Sequence, residues 1–126
     1  MDIMDKWATA WKNVFYLIFR VLIGVMFFAH GYGKVVPNFD PASMIGIAGI
    51  IEVVVGAMLV VGLFVRWASF FGAGQMLVAY FMVHAPQGWN PLVNKGELAL
   101  LYFAAFCVAF ILGNGKWNLQ SMIMKK

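Results

Sequence analysis

The chain has 126 residues, of which 63% are hydrophobic and 11% charged, with a formal net charge of +4. A soluble domain of this length leaves too much surface in water to hide so much apolar side chain, so an ordinary soluble enzyme, a disordered chain and a disulfide-stapled secreted scaffold are excluded. The basic excess is scattered between apolar runs rather than gathered into a stripe, which argues against nucleic acid as a partner and for the positive-inside bias of a membrane protein.

The first residues place Ile3, Met4, Trp7 and Trp11 at helical spacing, with Lys6 and Lys12 elsewhere. This predicts a short amphipathic helix lying at the membrane interface. A membrane span needs about 20 mostly apolar residues. Four segments read as spans, at about 14–36, 43–65, 67–85 and 97–112. Pro37 and Pro41 flank the first linker, Arg66-Trp67 leaves almost no connection between spans two and three, and the stretch from Pro86 to Gly96 is the longest loop. Gly113-Asn114-Gly115 stops the last helix. The expected fold is an all-α membrane protein, a four-helix transmembrane bundle with up-down-up-down topology, filling residues 1–126 as a single transmembrane domain. Four spans put both termini on one side of the bilayer. Lys6, Lys12, Arg66, Lys116, Lys125 and Lys126 share that side, against Lys34 and Lys95 on the other. Cytoplasmic termini in a multi-pass plasma-membrane protein are therefore expected. The lone Cys107 cannot form an internal disulfide.

Charged groups inside spans cost roughly 2.5–3.5 kcal/mol each on insertion scales, so they face the bundle interior or reach for the interface. Arg20, His30, Lys34, Glu52, Arg66, His84 and Glu97 are of this kind, with polar Gln75 among them. At about 100° per residue, Arg20, Gly24, Phe27, Gly31 and Lys34 share one face of span one. Two glycines on that face let a neighbouring helix come close. Arg20 lies roughly 9 Å inside the span at 1.5 Å per residue, and Glu52 falls near the midplane. An Arg20–Glu52 ion pair is the expected way for both charges to survive in lipid, as a structural link that fixes helix register.

His30 and Lys34 close span one, His84 closes span three and Glu97 opens span four. With Glu52 below them, these groups converge on a polar pocket opening outward. Each has a plain structural alternative: a histidine at a helix end faces water or headgroups, and Glu97 suits the positive end of a helix dipole. Such a pocket suits a quinone headgroup, which needs a donor at each carbonyl oxygen and a proton relay. Histidine ordinarily titrates near neutral pH, and a buried carboxylate serves as relay partner. His30, Glu52 and His84 are thus the candidate catalytic residues, and Lys34 and Glu97 join them as candidate headgroup contacts. The isoprenoid tail is expected among Phe27, Phe28, Tyr80 and Phe81. Haem held by His30 and His84 is disfavoured because both lie at the last turns of their spans. A metal site is disfavoured because no HxxH or HxxxH spacing is present.

The elements Arg20-x-x-x-Gly24, Phe28-Ala29-His30-Gly31-x-x-Lys34, Glu52-x-x-x-Gly56, Gly62-Leu63-Phe64-Val65-Arg66, Val83-His84, Gly96-Glu97-Leu98-Ala99-Leu100-Leu101 and Gly113-x-Gly115-x-Trp117 occur in this order. Together they resemble the DoxX family of small four-span membrane proteins, over about 14–119 of the chain. The resemblance implies a membrane subunit in quinone-coupled oxidoreduction. It carries the family's polar positions onto Arg20, His30, Lys34, Glu52, Arg66, His84 and Glu97. Ala57 and Val65 stand where relatives often carry Gly and Thr. Three functions stay open at this point: a subunit of a quinone-linked oxidoreductase, a small oligomeric transporter or proton-conducting unit, and a non-catalytic assembly subunit. The sequence displays no redox centre of its own, so the electrons would belong to the quinone or to a partner. The expected partners are the bilayer and either another protein subunit or further copies of the chain.

Overall fold

A helix begins wherever a capping side chain meets a run of good helix formers, and the chain does this at Asp2. The Asp2 carboxylate accepts the Asp5 N–H at 2.9 Å, and the Asp5 carboxylate accepts the Asp2 N–H at 3.2 Å. This reciprocal cap opens α1 (Ile3–Val35). The computed structural model describes residues 2–36 and 38–124; Pro37, Lys125 and Lys126 of the sequence argument lie outside them. No glycine or proline interrupts α1 before Gly24, so its 33 residues run without a break for about 50 Å. The expected interfacial helix is therefore not a separate element. Ile3, Met4, Trp7 and Trp11 are exposed on the first turns of α1 itself.

Helix α2 (Met44–Val61) starts at Ser43, whose hydroxyl accepts the Gly46 N–H at 3.0 Å, and closes on Gly62 in the left-handed region. Helix α3 (Val65–Ala79) continues through a π-helical turn at Tyr80–His84 and a 3₁₀ turn at Ala85–Gln87. The widening falls just before Pro86, which has no N–H to continue the ladder. Helix α4 (Glu97–Leu112) and the short α5 (Leu119–Ile123) complete the chain. No strand occurs among the described residues. Three helical runs, Ile3–Val35, Met44–Val61 and Val65–Gln87, are long and apolar enough to cross a membrane, while α4 is shorter.

Helices α1 and α2 pack antiparallel, with Gly24 against Gly56 and Gly31 against Gly49. A Cβ at Gly24 would stand 2.7 Å from the Gly56 carbonyl oxygen, and one at Gly31 would stand 2.6 Å from the Gly49 oxygen. Backbones this close have no room for a side chain. Gly24→Val is therefore expected to push α1 off α2 and lower stability by about 1–3 kcal/mol, the range for overpacking. Gly33→Ala, where a Cβ would meet nothing within 4 Å, should leave the unfolding midpoint in detergent unchanged or slightly raised. Helices α3 and α4 form a second antiparallel hairpin, in which Gly72 faces the Phe106 ring and Gly96 faces Tyr80. Phe27 joins the two hairpins. It is fully buried, with its ring centroid 4.8 Å from Phe106 and 5.2 Å from Tyr102.

Candidate functional site between Lys34 and His84

The polar groups separate into a cluster at the end of the fold nearest α5 and a site at the opposite end. At the first, Arg20 is almost wholly buried, and its partners are backbone carbonyls. Its guanidinium donates to the Leu59 oxygen at 2.7 Å, to the Trp117 oxygen at 2.9 Å and to the Asn114 oxygen. These carbonyls lie at or just past the C-terminal ends of α2 and α4, where unpaired oxygens and the helix dipole favour a cation. Arg66 donates to Phe110 and Ile111 at 3.0 and 3.1 Å, and the Tyr16 hydroxyl donates to Gly113 at 2.5 Å. Asn114 and Gln120 finish the lock. The Asn114 side chain accepts the Val65 N–H at 2.9 Å and donates to Gln120 at 2.8 Å. Gln120 in turn accepts the Phe64 N–H at 2.8 Å, holding that residue at a positive φ of 47°. The Gly62–Arg66 and Gly113–Trp117 motifs are thus two halves of one structural joint.

The expected Arg20–Glu52 pair does not form. Glu52 is buried and pairs with Lys34, Nζ to Oε2, at 2.5 Å. Among the described residues this is the one salt bridge. The physical reason lies in the close approach of α1 and α2. The Lys34 Cβ lies beside Gly49, so the flexible stem of Lys34 can run along α2 to Glu52. Arg20, on the same face of α1 but about 21 Å toward the other end at 1.5 Å per residue, already donates to carbonyls. Lys34 remains about one-third exposed and Glu52 almost wholly covered, so the pair has one side open and one side dry.

His84 sits at the end of the π turn. Its Nδ1 donates to the Asn94 carbonyl oxygen at 3.1 Å. A carbonyl can only accept, so Nδ1 carries the proton and Nε2 of the neutral ring is left as a base. Asn94 is itself buried and organises the loop behind His84. Its amide donates to the Gly88 oxygen at 2.7 Å and to the Tyr80 hydroxyl at 3.2 Å, and its side-chain oxygen accepts the Gly96 N–H at 2.8 Å. The Tyr80 hydroxyl in turn donates to the Trp89 carbonyl oxygen at 2.9 Å. Asn94→Ala removes three hydrogen bonds and strands the buried Gly96 N–H, so a loss of about 1–3 kcal/mol is expected. The same change should quicken proteolysis of residues 85–96 in the folded protein.

Lys34 and His84 line one cleft of about 380 Å³, together with Gln75 and the apolar side chains of Met44, Met76 and Met82. Gln75 donates weakly to the Ala48 oxygen at 3.4 Å, while its buried Oε1 has no partner. Glu52 lies behind Lys34. His30 and Glu97 are not drawn into this cleft. His30 is exposed on α1 and stands edge-on to Tyr102, with ring centroids 5.7 Å apart. Glu97 is exposed in the first turn of α4, where the helix dipole suits it. Gln75 and Asn94 are the contributors that sequence reasoning undervalued. Asn94 sits among turn residues, where an asparagine is ordinary, and only the fold reveals its burial.

A helical protein with three runs long and apolar enough to cross a membrane, a carbonyl-capping arginine at one end and a half-dry Lys–Glu pair beside an apolar cleft at the other is a small membrane protein. The DoxX family model matches residues 15–85, more than half of the chain. The chain is also 34% identical over 130 residues to an uncharacterized protein of Haemophilus influenzae, covering 92% of this chain and 96% of that one. The chain belongs to the DoxX family. No solved structure matches it.

Proposed function

We propose that this DoxX protein is a membrane subunit of a quinone-linked oxidoreductase, binding a quinone headgroup in the cleft between Lys34 and His84. The observation that carries the proposal is that Lys34, Gln75 and His84, from α1, α3 and the π turn, line one otherwise apolar cleft. The fit is chemical. A quinone accepts hydrogen bonds and a quinol donates them. Lys34 supplies a donor, His84 Nε2 supplies a base, and the unpartnered Gln75 oxygen supplies an acceptor. When bound, a quinone supplies a two-electron, two-proton couple. The protein's part is to orient the ring, keep water out along the apolar walls and move a proton at His84 Nε2. Glu52 holds the Lys34 ammonium toward the cleft and keeps the site electrically balanced. His30 and Glu97, exposed outside the cleft, take no part in this binding.

In this reading the chain crosses the plasma membrane four times as an up-down-up-down bundle, α4 being the shortest span. Lys6, Lys12, Arg66 and Lys116 fall on the cytoplasmic side with both termini. Electrons pass to or from a partner subunit. Lipid extracted from protein purified in mild detergent should contain quinone, and added quinone should raise the unfolding midpoint. Absence of both effects removes the reading. His84→Ala should weaken quinone binding about tenfold, the loss of roughly one good hydrogen bond, as read from the concentration dependence of that stabilisation.

A further inference from the structure

The cleft at Lys34 and His84 does not end at Gln75. It shares Met44, Ala48, Gln75 and Val78 with a second, almost wholly apolar cleft of about 540 Å³. That cleft shares Ile51 and Phe71 with a third, of about 380 Å³, which reaches Met58 and Trp67. The three adjoin along the seam between α2 and α3. From Met44 to Met58 the seam follows α2 for about 21 Å at 1.5 Å per residue. Small residues keep it open at its centre. Ala48 lines one wall and Gly74 the other, and a Cβ at Gly74 would meet nothing within 4 Å. A glycine inside a helix costs up to about 1 kcal/mol relative to alanine. No protein neighbour of Gly74 requires that cost.

Of the tail contacts expected from the sequence, Phe27 is fully buried against Tyr102 and Phe106 and Tyr80 is buried under the loop that Asn94 ties down, while Phe28 and Phe81 are exposed. We propose instead that the α2–α3 seam holds the polyisoprenoid tail of a long-chain quinone, an assignment that rests on the headgroup reading above. A groove polar at one end and apolar along the rest matches a molecule built the same way. The charge at the polar end chooses among lipids. Lys34 is neutralised by Glu52, so that end carries no net positive charge to hold a phosphate. A neutral ring with a single tail suits a neutral, single groove better than a diacyl phospholipid does.

The test compares matched quinones with and without a tail on the whole protein in mild detergent. Menadione and phylloquinone serve for naphthoquinones, with a corresponding pair for benzoquinones. The long-tailed member of the preferred pair should raise the unfolding midpoint at concentrations where its tail-less partner has little effect. Gly74→Phe, which fills the seam, should abolish the advantage of the tail and keep the response to the tail-less ring. Ile47→Phe, at a position on α2 that lines the second cleft and not the headgroup cleft, fills the seam and serves if Gly74→Phe does not fold. Equal shifts with and without the tail, a tail advantage surviving in the folded variants, or displacement of the long-tailed quinone by phosphatidylglycerol would overturn the tail assignment and leave the headgroup reading standing. No shift with any quinone removes both.

Discussion

Lys34→Met is expected to cost the fold about 3 kcal/mol, because it leaves the Glu52 carboxylate buried with no partner. The cost comes from the stranded charge more than from the lost attraction. Glu52→Gln in the Lys34→Met background should therefore recover most of the loss, since a neutral amide needs far less from its surroundings. A double-mutant cycle on unfolding in detergent reads this directly. Lys34 and Glu52 should show strong coupling, with the double variant losing far less than the sum of the two single losses. Independent, additive losses would mean that the 2.5 Å contact does no energetic work.

Arg20→Met is expected to destabilise the protein by about 3 kcal/mol or more, since hydrogen bonds to a charged group contribute about 1.5–3 kcal/mol each and Arg20 makes three. The damage should appear at the α5 end of the molecule. Amide exchange should quicken at residues 113–120, whose carbonyls Arg20 holds, before it changes around His84. Arg20→Lys should recover only part of the loss, because a compact ammonium cannot span carbonyls from two helix ends as a planar guanidinium does. The cycle between Arg20 and Glu52 should give a coupling within about 0.5 kcal/mol of zero, the range for residues without shared partners. This separates the observed arrangement from an Arg20–Glu52 link.

The helices were legible in the sequence because membrane spans announce themselves by composition, and the linkers by proline and glycine. The third span is read at 67–85 and the helical run observed is Val65–Gln87. The glycine face of span one also read correctly as a close approach, because Gly24 and Gly31 fall on the face that meets α2. Partner choice was not legible. Depth along a helix predicts which charges share a level, and it placed Arg20 and Glu52 within reach. Carbonyls leave no trace in a sequence, so the ends of α2 and α4 could not be seen as the better partners for Arg20. Helix register hid Lys34 as well. Its stem crosses Gly49, and only the packed pair of helices reveals that path to Glu52. The amphipathic start of α1 was misassigned as a separate helix because hydrophobic spacing marks a face and not a break. His30 and Glu97 matched the depth of the site and missed its direction, since both are exposed outside the cleft that His84 lines.

The Arg20 cluster ties helix ends together, and the proposed quinone site lies at the other end. There Lys34 and Glu52 cancel, His84 offers a base and Gln75 an unused acceptor, all on an apolar wall. The most direct test of this assignment is photolabelling of the purified protein with an azido-quinone, followed by mass spectrometric mapping. The account predicts label on residues lining the cleft, within 34–48 and 75–84, that is competed away by excess unlabelled quinone and weakened in His84→Ala. Competable label confined to other segments, or no competable label at all, would contradict it.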